Sequence, residues 1–170
     1  DWFAEGRAEL RRKQVAYDNI SNAKAKNIIL FVADGNGVAT NYGTRLYAGQ
    51  KIGGYGDEYV LAHERMPWAA LCKTYNTNAQ TPDSAGTSTA MHTGHKTKAS
   101  VIGVSEVAIR GDCPSIADTK LTSIAKELSD MGKSVGVVST ARVTHATPAG
   151  AYAHSVDRNY EASVPEGCDM

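Results

Sequence analysis

The apolar and polar positions of the chain change period several times along its length. Residues 28–33 are six consecutive apolar residues inside NIILFVADGNG, a run that predicts a buried parallel strand followed by a tight turn at Asp34-Gly35. Residues 38–48 carry a helical pattern beyond that turn. WAALCKTYN, residues 68–76, predicts a second strand, and SVGVVST, residues 134–140, a third. Between these, LTSIAKELSDMGK places apolar residues at 121, 124, 125, 128 and 131, one face of a helix that Gly132 would end. Residues 2–19 carry Glu5, Arg7, Glu9, Arg11, Arg12 and Lys13 with sparse apolar positions, which predicts a surface helix or arm over residues 1–20. The Gly- and Tyr-rich stretch 52–59 reads as loop. In THATPAGAYAHSVDR, Thr147 before Pro148 predicts an N-cap followed by the first helical residue. Strands alternating with helices predict an α/β fold with helices on the faces of a sheet. In such sheets chemistry collects at the carboxyl ends of strands, and Asp34, the Asp83-Ser84 pair and residues 145–158 all fall there.

Composition changes this picture mainly by exclusion. At 170 residues, with 42% hydrophobic and 21% charged, the chain has a globular balance. Lys plus Arg and Asp plus Glu are 18 each, so no net field draws in nucleic acid or an anionic membrane, and any anion must be bound locally. No apolar run approaches the ~20 residues of a membrane span. The chain opens at Asp1 and carries no basic region followed by an apolar one, so a secretory leader is expected to be removed already or never present. Three cysteines at 72, 113 and 168 form no C-x-x-C pair and no zinc-finger spacing. Cys72, among apolar neighbours, is expected to be a small buried hydrophobe. Cys113 and Cys168 lie in the turn-rich RGDCPS and PEGCDM, where a bridge is expected over two exposed thiols. Such a bridge would contribute on the order of 4 kcal/mol in the chain-entropy model.

Several motifs invite chemistry and fail. DGNGVAT lacks the third Gly of a dinucleotide fingerprint, and Asp34 would repel a pyrophosphate; a carboxylate at a strand end suits a divalent cation, or simply opens the turn. MGKS precedes a strand and has Glu127 where a P-loop needs Gly. PDSAG has Pro82 where a nucleophile elbow needs Gly. The remaining stretch, TPDSAGTSTAMHTGHKT at 81–97, is dense in Ser, Thr and Gly. If residues 84–95 form a helix, Ser84 stands at its N-terminus, where free amides favour an anion such as phosphate. Asp83 is a poor base for its own neighbour and could instead orient an arginine; spacing alone leaves Ser84 equally a helix cap and a nucleophile. Arg158 could clamp two phosphate oxygens or be solvated. His63, His92, His95 and His154 form no ligand pair and are assigned to surface or packing.

Taken together and in order, FVADGNG, TPDSAGTSTA, GVSEVAI and GKSVGVVSTARVTHATPAGAYAHSVDRN resemble the alkaline phosphatase family over nearly the whole chain. The resemblance implies a three-layer α/β/α sandwich with a mostly parallel central sheet, of which this chain would be the N-terminal part of one larger catalytic domain. It implies hydrolysis of phosphate monoesters through a phosphoserine on Ser84, with two zinc ions and one magnesium ion per site. Asp34, Ser84, His145 and Thr147 would be metal ligands, Arg158 the residue gripping phosphate oxygens, and Asp83 the residue positioning Arg158. His145 stands where some bacterial relatives carry Asp, and a neutral imidazole would hold magnesium less tightly than that carboxylate. Ala33 and Asn36 replace the first Gly and the Met of the family's GDGMG without removing a ligand. Cys113 and Cys168 match a disulfide of the animal-type branch. The resemblance further implies a periplasmic, secreted or extracellular homodimer that releases inorganic phosphate. The remaining zinc ligands would come from C-terminal polypeptide beyond Met170, leaving residues 1–170 inactive alone. Readings from other classes are a non-catalytic metal- or nucleotide-binding module and a phosphodiesterase or phosphomutase of the same superfamily.

Overall fold

The computed structural model describes residues 2–20 and 24–168; Asp1, at the start of the expected arm, and Met170 lie outside them. The chain divides into two compact units, residues 1–72 and residues 73–170.

In the first unit, α1 (Trp2–Ile20) and α2 (Val38–Lys51) are joined through a turn at residues 33–36, closed by the Asn36 amide on the Ala33 carbonyl at 3.2 Å. Charge spacing supports α1: Glu9 pairs with Arg12 three residues on and with Lys13 four residues on, at 2.6 and 3.8 Å, weak contacts on an exposed helix that solvent screens. Side-chain packing holds little of this unit. Backbone meets backbone closely here: a Cβ on Gly49 would come within 2.6 Å of Gly56 Cα, and one on Gly56 within 2.7 Å of Leu46 Cα in α2. The guanidinium of Arg45 grips Glu64 in the short 3-10 turn Ala62–Arg65, and Tyr17 meets Trp68 edge-on at 6.0 Å.

The second unit holds the core. α3 (Ser84–Thr93) is capped by Asp83 and closed by Gly94, whose amide donates to Ala90. α4 (Ile124–Asp130) begins at Ser123, whose hydroxyl accepts from the Lys126 amide, and α5 (Ala146–Ala149) is a single turn. Two buried clusters lie here: Val101, Val104, Ala108, Ile116 and Val156, and, between α3 and α5, Ala85, Ile102, Ala146 and Ala149. The second cluster is built largely of alanine because the two helices approach closely. A Cβ on Gly150 would stand 2.0 Å from Ser88 Oγ and 2.8 Å from Ser88 Cβ. The Cys113–Cys168 disulfide is formed, over a sequence separation of 55.

Two expectations are overturned here. The α/β/α sandwich with a parallel central sheet is not formed: among the described residues there is no strand, only isolated antiparallel bridges at Asn76–Ala79, Ile102–Ser155 and Val104–Lys120. A continuous apolar run reports a need for burial but does not supply its partner, and a ladder requires a neighbouring strand within about 5 Å. The three runs find none; Phe31 is 84% exposed, Leu71 98% and Val138 fully so. Cys72, in the second of these runs, is accordingly exposed rather than buried and stands outside the disulfide.

Replacing Gly150 by Ala forces α3 and α5 apart around Ser88. The expected outcome is a loss of about 1–3 kcal/mol, read as a lower urea midpoint with an unchanged slope.

Candidate active site

Asp83 precedes Ser84 at the start of α3, and its carboxylate organises what surrounds them. Oδ1 accepts from the Gly86 amide at 3.0 Å and from Asn76 Nδ2 at 3.1 Å; Oδ2 accepts from the Ser100 amide at 2.9 Å and from Arg158 Nη1 at 3.1 Å. A carboxylate has about four acceptor positions, so these donors saturate it. The cap locates Ser84 as the first residue of the helix rather than as its cap, half-buried where the helix amides begin.

Arg158 arrives from the far end of the unit, its backbone amide donating to the Ser100 carbonyl at 2.8 Å. Its guanidinium is divided between Asp83 and, through Nη2, His145 Nε2 at 3.4 Å. Both partners of the ion pair are about three-quarters shielded, with side-chain exposures of 25% and 23%. His145 caps α5, Nδ1 facing the Thr147 amide at 3.3 Å. A neutral imidazole has one acceptor nitrogen, so the ring accepts from Thr147 or from Arg158 but not from both. This cap corrects the expected one: the helix begins two residues before Pro148, with the His145 side chain at the cap, facing the Thr147 amide, rather than that of Thr147. Ser88 of α3 donates to the Thr147 carbonyl at 2.6 Å, fastening α5 to α3 beside Ser84.

The second unit therefore gathers Asp83, Ser84, His145, Thr147 and Arg158. Asp34 belongs to the first unit, in the turn before α2. Among the described residues no three of His, Cys, Asp and Glu come together as a metal cage.

Three contributors carried no sequence signal. Asn76 ends a run read as a strand, yet it is buried and holds Oδ1. Ser100 lies in a turn without a motif. Glu161 binds Arg142 through both oxygens and accepts from Thr144 beside His145; the Arg142 hydrogen bonds hold its carboxyl down at about 2. A cavity of this unit lies elsewhere, lined by Leu121, Ser123, Val135, Gly150 and His154; His154 Nε2 meets the Leu121 carbonyl and Ser123 Oγ donates to that of Ala151.

Compared with known proteins, residues 25–168 match the family model described as alkaline phosphatase. The chain is 42% identical over 160 residues to the tissue-nonspecific alkaline phosphatase isozyme of Gallus gallus, covering 94% of this chain and 31% of that protein. It is 48% identical over 136 residues to the Homo sapiens isozyme, covering 80% and 26%. Among solved structures, a cold-active alkaline phosphatase from the psychrophile Shewanella sp. aligns with a TM-score of 0.62 and 31% identity over 77% of this chain and 30% of that one. The chain thus spans about a third of the length of the curated relatives it matches.

Burial alone would raise the Asp83 pKa, but the hydrogen bonds from Gly86, Arg158, Ser100 and Asn76 together outweigh it and leave the group below its usual 3.8. A carboxyl lowered in the folded state contributes stability above the unfolded pKa and loses it as pH falls through the folded one. The stability difference between the native protein and Asp83→Asn should therefore be constant from neutrality down to about pH 4–5 and shrink below it. Urea midpoints measured across that range check this.

Proposed function

Because this chain belongs to the alkaline phosphatase family, we propose that it carries the nucleophile half of a site hydrolysing phosphate monoesters, with Ser84 attacking phosphorus and Arg158 holding the phosphoryl oxygens. The observation that carries this reading is the Arg158–Asp83 ion pair set at the residue preceding Ser84, on a carboxylate with no acceptor position to spare.

A serine hydroxyl is a weak nucleophile until its proton is removed. Asp83, filled by four donors and held below its usual pKa, does not take that proton; its work is to fix the guanidinium. Arg158 presents the planar fork that matches two phosphate oxygens, and the first amides of α3 add a positive end to the dipole at Ser84. In the first step Ser84 Oγ bonds to phosphorus as the ester P–O bond breaks, and the Ser84 proton passes through solvent to the leaving alkoxide oxygen, which departs as the alcohol. In the second, water attacks phosphorus, the Ser84–phosphorus bond breaks, and inorganic phosphate departs as Ser84 regains its proton.

The hard oxygen and imidazole donors Asp34, Ser84, His145 and Thr147 are of the kind that bind divalent cations, and the reading includes two zinc ions and one magnesium ion. The described residues do not close a metal cage by themselves, so no step above is derived through an ion. When bound, such ions supply stabilisation of the attacking and leaving oxygens and lower the pKa of hydroxyl or water. The same reading makes the enzyme a homodimer of the periplasm or extracellular space, and it makes residues 1–170 inactive without further polypeptide. No described helix is long and apolar enough to cross a membrane.

The test is phosphate trapping at low pH in the intact protein, followed by peptide mapping. Label is expected on Ser84; label on any other residue overturns the assignment. Ser84→Ala should lower monoester turnover roughly 10³-fold or more, and Arg158→Ala should weaken inhibition by inorganic phosphate about 10–100-fold. Diester turnover exceeding monoester turnover would move the protein to the phosphodiesterase reading.

A further inference from the structure

Among the described residues only Ser100 and Asp118 combine a side chain with a left-handed backbone, Ser100 at φ 70°. Residues other than Gly, Asn and Asp rarely occupy that region, which costs conformational energy and persists only where the surroundings enforce it. What enforces it here is on both sides of the residue. The Ser100 amide donates to Asp83 Oδ2 at 2.9 Å, and its carbonyl accepts the Arg158 amide at 2.8 Å. One residue thus bonds to both members of the ion pair, to the carboxylate of one and to the backbone of the other. The flanking positions are also fixed: the Ala99 amide donates to Asn78 Oδ1 at 2.9 Å, and Val101 is fully buried in the core.

The directions of an amide N–H and the carbonyl of the same residue are related by φ and ψ. With the Ser100 carbonyl engaged by Arg158, rotation of φ to the negative side swings the N–H away from Oδ2. The left-handed conformation is what lets one peptide turn serve both partners, and so sets how far the Arg158 backbone stands from the carboxylate that its own guanidinium grips. We propose that Ser100 is a positioning residue that fixes the Arg158 guanidinium beside Ser84 through its backbone, its side chain being dispensable. This rests on the reading of Arg158 as the phosphate-holding residue.

Two variants separate backbone from side chain. Glycine enters the left-handed region without penalty, so Ser100→Gly in the intact protein should keep its melting temperature within about 3 °C and leave inhibition by inorganic phosphate within roughly twofold of the native protein. A β-branched residue is a strong outlier there, so Ser100→Val should weaken phosphate inhibition and raise the monoester KM about tenfold, more than it lowers kcat. In an Arg158→Ala background, Ser100→Val should change phosphate inhibition no further, since residues acting through one network are not additive. A Ser100→Val protein that melts lower with unchanged KM and phosphate inhibition, or one whose effect is undiminished in the Arg158→Ala background, overturns the proposal. So does a Ser100→Gly protein as impaired as Ser100→Val.

A second measurement holds whether or not Ser100→Val is active and does not depend on catalysis. The Asp83–Arg158 coupling, from a double-mutant cycle in urea with Asp83→Asn and Arg158→Ala, should survive in Ser100→Gly and largely vanish in Ser100→Val or, should that variant not fold, in Ser100→Ala. Equal coupling in all backgrounds overturns the clamp. Coupling that falls as expected while Ser84→Ala retains full monoester turnover leaves the clamp standing and removes the functional reading instead.

Discussion

A carboxylate that accepts four hydrogen bonds is the constraint from which the second unit's geometry follows. Asp83 draws donors from four separate stretches of sequence: Asn76, the first turn of α3, the turn at Ser100, and Arg158. Buried apolar neighbours such as Val101, Val156 and Ala85 anchor three of those stretches, but non-directional packing does not orient their donors. An acceptor with fixed directions does. Leaving any one donor out would expose a half-buried charge to an incomplete shell, which costs more than the missing bond itself.

The same saturation decides chemistry. A carboxylate adjacent to a serine invites the reading of a base, but one whose lone pairs are all engaged, and whose pKa is held down, is instead a fixed negative post. What it fixes is a guanidinium, the group best suited to two oxygens of a phosphate. α5 joins this arrangement through small residues rather than large ones, with Ser88 on the Thr147 carbonyl and alanines between the helices, so that His145 is brought to Arg158 by close helix approach.

Much of this was legible in the residues and some was not. α3 was legible as a conditional helix over 84–95 with Ser84 as a candidate cap; the structure gives the cap to Asp83 and ends the helix at Thr93, before Gly94. α4 was readable from its apolar stripe, and its cap, Ser123, is a local signal too. The proximity of Asp83, Ser84, His145, Thr147 and Arg158 followed from a family resemblance, since no rule of spacing brings residue 158 to residue 83. Asn76 and Ser100 escaped because they act through one amide nitrogen and one backbone, which leave no pattern. The sheet was misread for a related reason: IILFVA and SVGVVST state that they are apolar, whereas a ladder is a relation between segments, and these find no neighbour. The cap at His145 was misplaced because a histidine nitrogen did what a hydroxyl beside a proline was expected to do.

The Cys113–Cys168 bridge divides the site-forming residues topologically. His145, Thr147 and Arg158 lie inside the covalent macrocycle it creates, whereas Asp83 and Ser84 lie on the open chain before it. A single proteolytic nick between residues 113 and 158 would therefore release nothing under oxidising conditions: both fragments stay tethered, and the arginine remains within reach of its carboxylate. The same nick in a reducing medium would remove the covalent link between the fragment that carries Asp83 and Ser84 and the one that carries Arg158, so the redox state of the surroundings sets how much backbone damage the arrangement can survive.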